Sequence, residues 1–352
     1  MIGIISDTHN HNWSVFASQL PNKLNNRLVH TLDETWRAAK TAKEAGCNAL
    51  IHTGDMFHVR GSVAPSVLNP TMDVYMRITQ ELDMAVYVLA GNHDLENNDS
   101  DRIGNASESL SGAGVTVISD KFIDKKHKRF FLPYFNSCNL LRAEIEKTEL
   151  EGDRSDWTLF IHAPLNGVIA GIPDNGLSAA ELKAFGFKAV FCGHYHNHQV
   201  FDGNICSVGA LTHQTFGDIG TVAGFIIYDE EKGVITQYPS NAPKFVDFDV
   251  TWDELEIIEN VQGNFVRARL EDATNAEVEE IREFLKGAGA TGIQIVHVPK
   301  TVTARDTPAA SVEAGGSAKV GLKEWCEANG YDEEVQTEAL LIMGEVDSKE
   351  SA

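Results

Sequence analysis

The chain has 352 residues, 43% hydrophobic and 23% charged, which is typical of a globular protein large enough to bury its own core. Its 29 basic and 51 acidic residues give a formal net charge of -22, which argues against capture of nucleic acid by a basic surface of its own. We find neither an apolar run near the roughly 18 residues of a membrane span nor a signal-peptide pattern, so we expect a cytoplasmic protein without a membrane partner. The five cysteines form no CxxC pair, which indicates reduced thiols rather than a zinc ribbon.

Short apolar runs alternate with amphipathic stretches over residues 1–240, and this pattern predicts an α/β layered domain. Runs rich in β-branched residues predict buried strands at residues 2–6, 49–53, 86–90, 115–119, 158–162 and 189–193. Apolar spacing predicts helices over Thr31–Glu44 and Val67–Leu82, and a third over Ser178–Phe185 that opens on a Ser N-cap. Beyond these elements, the runs ICSVGAL and VAGFIIYD predict a second sheet with antiparallel edges.

The chain changes character after residue 243. Phe245–Val298 has a β-α-β rhythm with a predicted helix over Ala276–Leu285. The next segment is rich in Pro, Gly, Ala, Ser and Thr, as expected of a flexible linker, and the last one recovers apolar residues such as Trp325 in an acidic setting. We therefore divide the chain into a main domain (1–243), a small α+β domain (244–299), a flexible linker (300–320) and a helical tail (321–352).

Five polar clusters follow predicted strands: DTH (Asp7, His9), GDMFH (Asp55, His58), GNHD (Asn92, His93, Asp94), HAP (His162) and GHYH (His194, His196). Because the loops at strand ends meet at one edge of an open α/β sheet, we expect these side chains to converge. Taken alone, a pair such as that in DTH more often caps a turn. Five clusters at successive strand ends instead indicate a metal site, whose carboxylate, amide and imidazole ligands suit Mn, Fe, Zn or Mg.

In this order, the clusters DxH, GDxxH, GNHD, a single His after a strand and GHxH resemble the calcineurin-like metallophosphoesterase superfamily. The resemblance covers residues 1 to about 240 and implies a two-sheet α/β sandwich flanked by helices, with a centre of two divalent metal ions. Carried over position by position, it implies a first metal held by Asp7, His9 and His196, a second held by Asn92, His162 and His194, and a bridging Asp55. Manganese is the metal we expect, with Mg, Fe and Zn as alternatives.

The residues around these motifs resemble one branch of the superfamily, the SbcD-like DNA exonuclease subunits. Protein Ser/Thr phosphatases continue GDxVDRG and GNHE where this chain reads GDMFH and GNHD. The resemblance implies that His93 acts on the phosphate as general acid or cationic stabiliser and that His58 supports it, while Asp94 is placed to orient or charge-tune His93. One departure is Val208–Gly209–Ala210, where the branch usually has Pro-Gly-Ser.

This branch implies a function, a set of partners and roles for the predicted segments. The function is double-strand DNA exonuclease activity, with single-strand endonuclease activity as an extension, in repair, recombination or replication. The partners are DNA and an SMC-like ATPase of the SbcC type, and a homodimer is a further option. Residues 1–243 become the nuclease domain, 244–299 a capping domain and 321–352 a tail that docks on the ATPase or on its own domain. The chain is shorter than we expect of a cellular SbcD-like subunit, which favours a phage protein working in the host cytoplasm.

Two other functions remain open from the sequence. The same chemistry can serve a phosphodiesterase or a phosphatase that acts on a small molecule or a cyclic nucleotide, which the acidic composition favours. Alternatively, a scaffold can keep the fold and lose the reaction, although the complete set of clusters argues against it. The remaining histidines, His11, His30, His198 and His213, are expected to be ordinary surface or core residues.

Overall fold

The computed structural model describes residues 1–97, 102–173, 175–271 and 273–298. The predicted linker (300–320) and tail (321–352) lie outside the described residues. The helices are α1 (Asn26–Glu44), α2 (Pro65–Glu81), α3 (Cys138–Lys147), α4 (Ala179–Ala184), α5 (Glu254–Val261) and α6 (Asn275–Gly287). The strands are β1 (Ile2–Ile5), β2 (Ala49–His52), β3 (Ala85–Leu89), β4 (Thr116–Ile118), β5 (Phe122–Asp124), β6 (Arg129–Leu132), β7 (Thr158–His162), β8 (Ala189–Gly193), β9 (Gln199–Phe201), β10 (Ile205–Ser207), β11 (Gly224–Asp229), β12 (Val234–Pro239), β13 (Phe245–Asp247), β14 (Phe265–Glu271) and β15 (Gly292–Val298).

Two mixed sheets form the body of the described chain. The first has the strand order β12-β11-β1-β2-β3-β4 and the second has the order β5-β6-β7-β8-β10-β9. Strands β1 to β4 are parallel, as are β6, β7, β8 and β10, whereas β11, β12, β5 and β9 add antiparallel edges. Helices α1 and α2 pack on the first sheet, and α3 and α4 pack on the second. The predicted two-sheet α/β sandwich flanked by helices is therefore confirmed.

The core between the two sheets follows the two-residue period of the strands. In β1, Ile2 and Ile4 face the opposite sheet, while Ile5 packs on the helical side. On the inner face of the second sheet, the rings of Phe131, Phe160 and Phe191 stack across neighbouring strands, with successive centroids 4.9 and 5.5 Å apart. Such cross-strand aromatic pairs stabilise a sheet by more than their buried area alone accounts for. The sheet therefore holds the loops at its strand ends firmly in place.

The helix boundaries follow from their caps. The N-cap of α4 is confirmed: the Ser178 side chain accepts from the Glu181 N–H while the Glu181 carboxylate accepts from Ser178, a capping box. Helix α1 begins five residues before the predicted Thr31, because the Asn25 side chain accepts hydrogen bonds from the N–H groups of Arg27 and Leu28. In the described part of the chain, every helix is too short or too polar to cross a membrane.

The grouping of the strands beyond residue 199 was predicted wrongly. ICSVGAL supplies β10 of the second sheet, but VAGFIIYD supplies β11, which pairs with β1 in the first. Both runs are apolar on both faces, so the pattern does not specify which sheet each one joins. Helices α3 and α5 and strands β5 and β6 were not predicted, since each is short and lies beside charged residues.

The segment after residue 243 forms a third sheet, called here the small sheet, with the order β13-β14-β15. Helices α5 and α6 cover it, and Val261, Val266, Ala268 and Leu285 form its buried core. It belongs to the same compact unit as the two larger sheets, Met1–His297. The domain boundary at residues 243 and 244 stays a prediction.

Candidate metal centre

The carboxyl ends of five strands bring the predicted side chains to one place. Asp7 and His9 follow β1, Asp55 follows β2, Asn92 and His93 follow β3, His162 ends β7, and His194 and His196 follow β8. The carboxylates of Asp7 and Asp55 and the ring of His162 are almost completely buried. The strand-end clusters therefore converge as the topology of open α/β sheets predicts.

Asp7, His9 and His196 form the first group of candidate ligands. Their donor atoms all lie within 4.8 Å of one another. The Nε2 atoms of His9 and His196 are 3.2 Å apart, a separation that two ligands of one ion can share. This is the set predicted for the first metal, and the structure brings its three members together.

Asp55, His162 and His194 form the second group, again with donor atoms within 4.8 Å of one another. The Asn92 Oδ1 atom lies 3.1 Å from His162 Nε2 and 3.0 Å from His194 Nδ1. The three residues predicted for the second metal, Asn92, His162 and His194, thus point their donor atoms at a common point beside Asp55.

Asp55 lies between the two groups. Its Oδ2 atom is 3.8 Å from His9 Nε2 in the first group and 3.4 Å from His162 Nε2 in the second. A carboxylate in this position can be shared by two cations, which is the bridging role predicted for it.

The backbone at the centre adopts conformations that are uncommon for residues other than glycine. The φ angles are 48° at Asp7, 43° at His9, 57° at Asp55 and 108° at His194. The loops are held by hydrogen bonds from Asp7 N to Gly54 O at 3.0 Å and from His9 N to Asp55 O at 3.1 Å. Left-handed backbone concentrated at one site is a feature of functional sites whose surroundings stabilise the strain.

Two imidazoles are fixed by hydrogen bonds on the side away from the centre. His162 Nδ1 donates to Thr53 O at 2.8 Å, and His196 Nδ1 donates to Asp218 Oδ1 at 2.7 Å. Each bond leaves Nε2 as the nitrogen that faces the centre, and an outer acceptor of this kind is usual for metal-ligating histidines.

Asp218 and Gln214 were missed by the sequence reasoning. Asp218 Oδ2 accepts from the backbone N–H groups of Gln214 at 2.7 Å and Thr215 at 2.8 Å. The Gln214 Nε2 atom reaches the backbone oxygens of Asp7 and Thr8 at 3.4 and 3.3 Å. Thr215 and Asp218 form a capping box on a short 3₁₀ turn, so the T-x-x-D spacing was the available signal.

The electrostatics of the centre favour added positive charge. Burial raises the pKa of Asp7, and the adjacent Asp55 raises it further. At His162 burial alone lowers the pKa, but the Asp55 carboxylate outweighs it and raises the pKa to about 9. Burial lowers the pKa of His194 to about 4, which leaves it as a neutral donor. Two buried carboxylates, an amide oxygen and four imidazoles in this arrangement fit two divalent cations.

Comparison with known proteins agrees with this geometry. Residues 1–198 match the family of calcineurin-like phosphoesterases. The chain belongs to this family. The fold of these metallophosphoesterases binds two divalent metals, and the enzymes are metal-dependent hydrolases of phosphoester bonds. Among solved structures, a dimetal phosphatase from Danio rerio is similar at 11% identity and a TM-score of 0.37, over 64% of this chain and 90% of that chain. The curated proteins contain no match.

His93 of this phosphoesterase lies at the edge of the centre, between His9 and His58. Its backbone N–H donates to Asp55 Oδ1 at 2.8 Å, and its ring centroid is 4.9 Å from that of His9. Its Nδ1 atom donates to the backbone oxygen of His58 at 2.8 Å. The two rings stack with centroids 5.6 Å apart, so His58 meets His93 through its carbonyl and its ring face. The His58 Nδ1 atom lies instead 3.4 Å from His9 Nδ1.

The prediction that Asp94 orients His93 is wrong. Its buried carboxylate accepts from the N–H groups of Met56 at 3.3 Å, Phe57 at 3.0 Å and Gly91 at 2.9 Å. Burial, with the charge of Asp55, raises the pKa of Asp94 to about 6. Asp94 therefore joins the loop after β2 to the loop after β3, and it positions Asp55 and Asn92 rather than His93.

Replacing Asp94 by alanine should accordingly reduce stability. The change leaves buried N–H groups without an acceptor, and we expect the free energy of unfolding to fall by about 3 kcal/mol. Urea unfolding in the presence of a chelator measures this without a contribution from metal binding. Asp94→Asn, which keeps one acceptor oxygen, is the matched control and should lose less. Unchanged stability together with lost hydrolysis would restore the original assignment.

The histidines expected to be bystanders divide into two kinds. His198 Nδ1 donates to Val208 O at 3.1 Å, and His213 Nδ1 accepts from Phe245 N at 3.2 Å, so both have structural contacts. His11 lies near the centre, with its ring centroid 5.1 Å from that of His58 and 5.4 Å from that of Trp13. His30 lines a small cavity with Trp13 and does not join the ligand groups among the described residues.

Proposed function

We propose that this phosphoesterase hydrolyses phosphodiester bonds in DNA as a manganese-dependent nuclease of the SbcD-like kind. The observation that carries the proposal is a row of aromatic rings beside the centre. The His93 ring stacks on His58 at 5.6 Å, and the His58 ring meets Trp13 at 4.6 Å. His11 joins the row at 5.1 Å from His58. Successive nucleobases stack on such rings, whereas a simple phosphate ester has no use for them.

The chain's own residues supply binding and proton transfer. The first group with Asp55 would hold one cation, and Asn92, His162 and His194 with Asp55 would hold the other. Two such cations supply Lewis acidity toward a phosphoryl oxygen and a nucleophile at neutral pH. The His93 Nδ1–H donates a hydrogen bond to the His58 carbonyl, and in the imidazolium form its Nε2–H gives its proton to the departing oxygen as a general acid, which leaves a neutral ring.

The proposal includes a partner that grips DNA. The formal net charge of -22 gives the chain no general attraction for a polyanion, so a separate basic surface has to hold the duplex. An SMC-like ATPase of the SbcC type, as the motif pattern suggests, would meet this need. The proposed setting is then DNA repair, recombination or replication in the cytoplasm, and a homodimer of the chain would double the number of centres.

A second candidate function is hydrolysis of a small phosphodiester or a cyclic nucleotide. The observation in its favour is the same charge, because a small substrate held between two cations needs no basic footprint. A single nucleobase can also stack on Trp13, but a row of several rings favours a strand with successive bases over a single one.

Hydrolysis assays with the full chain separate them. With Mn²⁺, and with the ATPase if it co-purifies, linear double-stranded DNA should be degraded, and a chelator should stop the reaction. Trp13→Ala should slow DNA degradation about 10-fold more than it slows bis-p-nitrophenyl phosphate hydrolysis, because stacking on nucleobases contributes about 1–3 kcal/mol per base. Turnover of bis-p-nitrophenyl phosphate without DNA degradation, with or without the ATPase, would refute the nuclease and favour the small substrate.

A further inference from the structure

The short turn Phe216–Asp218 is held from both ends. At one end, Asp218 Oδ1 accepts from His196 Nδ1 at 2.7 Å and so fixes the ring that faces the first metal position. At the other end, the ring of Phe216 packs edge-on against Phe245 of the small sheet, with centroids 4.9 Å apart. The Arg267 guanidinium of the small sheet lies 4.2 Å above the Phe216 ring. Through Phe216 and Asp218, the turn therefore connects the small sheet to the candidate ligand His196.

Arg267 is itself held in place within the small sheet. Its Nε and Nη2 atoms donate to the two carboxylate oxygens of Asp247 at 2.5 and 2.8 Å, a bidentate pair. Asp247 lies on β13 and Arg267 on β14, in register with each other. A bidentate pair fixes the plane of the guanidinium, so the surface that covers Phe216 moves only with the small sheet as a whole.

Arg27 provides a second connection. It is 5% exposed, and its guanidinium lies 5.1 Å from the ring of Phe245 and 5.5 Å from the ring of Phe265 in the small sheet. It also lies 4.5 Å from the ring of Trp13. Its Nη1 donates to Val15 O at 3.1 Å. A buried guanidinium between aromatic faces depends on those faces, because they replace the water it has lost.

The hydrogen bonds of Arg27 lead to the same ligands. Its Nη2 donates to Gln214 O at 2.5 Å. The Gln214 side chain donates to the backbone oxygens of Asp7 and Thr8. The backbone N–H of Gln214 donates to Asp218 Oδ2 at 2.7 Å. Two routes from the small sheet, through Phe216 and through Arg27, thus end at Asp7 and His196. By contrast, the second position includes His162, which is tethered to Thr53 at the end of β2 in the first large sheet.

We propose that docking of the small sheet sets the first metal position, with Phe216 and Arg27 as positioning residues. The proposal rests on the two-metal hydrolysis described above and does not depend on DNA being the substrate. When the small sheet is displaced, Asp218 loses its support, His196 loses its orientation and the loop at Asp7 loosens. The second position keeps the tether of His162 to Thr53, although the His194 N–H donates to the Asp7 carboxylate at 3.1 Å, so the second position should weaken less than the first.

Metal binding by the full chain tests this inference. Titration of metal-free protein with MnCl₂, followed by calorimetry and by electron paramagnetic resonance of the coupled ion pair, reports both positions separately from activity. In Phe216→Ala and in Arg27→Met, one of the two ions should bind about 10–100-fold more weakly, the usual cost of losing an outer-sphere contact, and the signal of the coupled pair should be lost. The other ion should lose much less affinity.

Three comparisons keep the test decisive. Phe284→Ala removes a half-exposed ring from α6, one of the helices that cover the small sheet, and should leave both ions bound. Arg27→Lys keeps the charge and should restore part of the affinity, which a purely structural loss would not do. If Phe216→Ala does not fold, Phe216→Leu keeps apolar volume while it removes the ring face beneath Arg267.

The outcomes separate this inference from the proposed function. Selective weakening of one ion in both variants supports the inference. Equal weakening of both ions, or unchanged binding of both in folded variants, overturns it. If the unmodified protein binds two ions but hydrolyses no phosphodiester, the proposed function is refuted. The inference is then still decided by whether the variants weaken one ion selectively.

Discussion

Replacing His93 by alanine should lower the rate of phosphodiester hydrolysis by about 10²–10⁴-fold, the usual contribution of a positioned general acid. The metal content should not change, because the bond from the residue-93 N–H to Asp55 Oδ1 belongs to the backbone and survives the substitution. Elemental analysis for Mn together with a rate measurement checks both halves of the expectation.

The size of the loss should depend on the leaving group. p-Nitrophenolate departs without a proton, so His93→Ala should affect bis-p-nitrophenyl phosphate less than a DNA phosphodiester, whose alkoxide needs one. An equal loss with both substrates would make His93 a cationic stabiliser rather than an acid. The matched control is His127→Ala, a histidine paired with Asp124 at 2.7 Å on the β5–β6 hairpin, which should keep the unmodified rate. If His93→Ala also kept that rate, His93 would have no part in the chemistry.

Replacing Asp55 by asparagine should weaken both metal positions together. The side chain keeps its shape and its Oδ1 acceptor for His93 N–H, but it loses the charge that lies between the two groups. Removing one partner of a buried charge pair costs about 3–5 kcal/mol, which corresponds to a loss of about 10²–10⁴-fold in metal affinity. Hydrolysis at a fixed Mn²⁺ concentration should fall at least as far, and MnCl₂ titration measures the affinities.

Asn92→Ala is the matched comparison for Asp55→Asn. The Asn92 Oδ1 atom lies 3.1 Å from His162 Nε2 and 3.0 Å from His194 Nδ1, both in the second group, so its loss should weaken one ion more than the other. If Asp55→Asn also weakened a single ion, Asp55 would belong to one position and the bridging role would be wrong. Loss of both ions in Asn92→Ala would instead mean that the two positions fill together.

The convergence of the candidate ligands could be predicted because their signals are local. Asp7, Asp55 and Asn92 each follow an apolar run within three residues of its end, and parallel strands bring such ends together wherever the sheet forms. The strands that carry them were predicted to within one residue at either end. His162 ends β7 and His194 follows β8, two strands of the second sheet. The order of the motifs along the chain predicted that these residues lie at the same edge as the others.

The outer contacts could not be predicted, because they depend on how loops pack. Asp218 lies 22 residues beyond His196, on a turn whose own capping box gives no hint of the imidazole above it. Asp94 follows His93 directly, which suggested a contact between them, yet its carboxylate turns back to the N–H groups of another loop. In the same way, VAGFIIYD is apolar on both faces, and only the closed sandwich decides that it pairs with β1.

The tethered imidazoles affect which metal the enzyme uses. His162 rests on Thr53 and His196 on Asp218, so protein atoms alone hold these rings in place. Carboxylate, amide and imidazole donors as a set nevertheless select weakly among divalent first-row metals, whose affinities follow an intrinsic order that proteins offset through geometry, ligand type and metal supply. We therefore expect the bound metal to depend on which metals the surrounding cell supplies. A habitat poor in iron or manganese would then change the metal that the enzyme uses without changing its sequence.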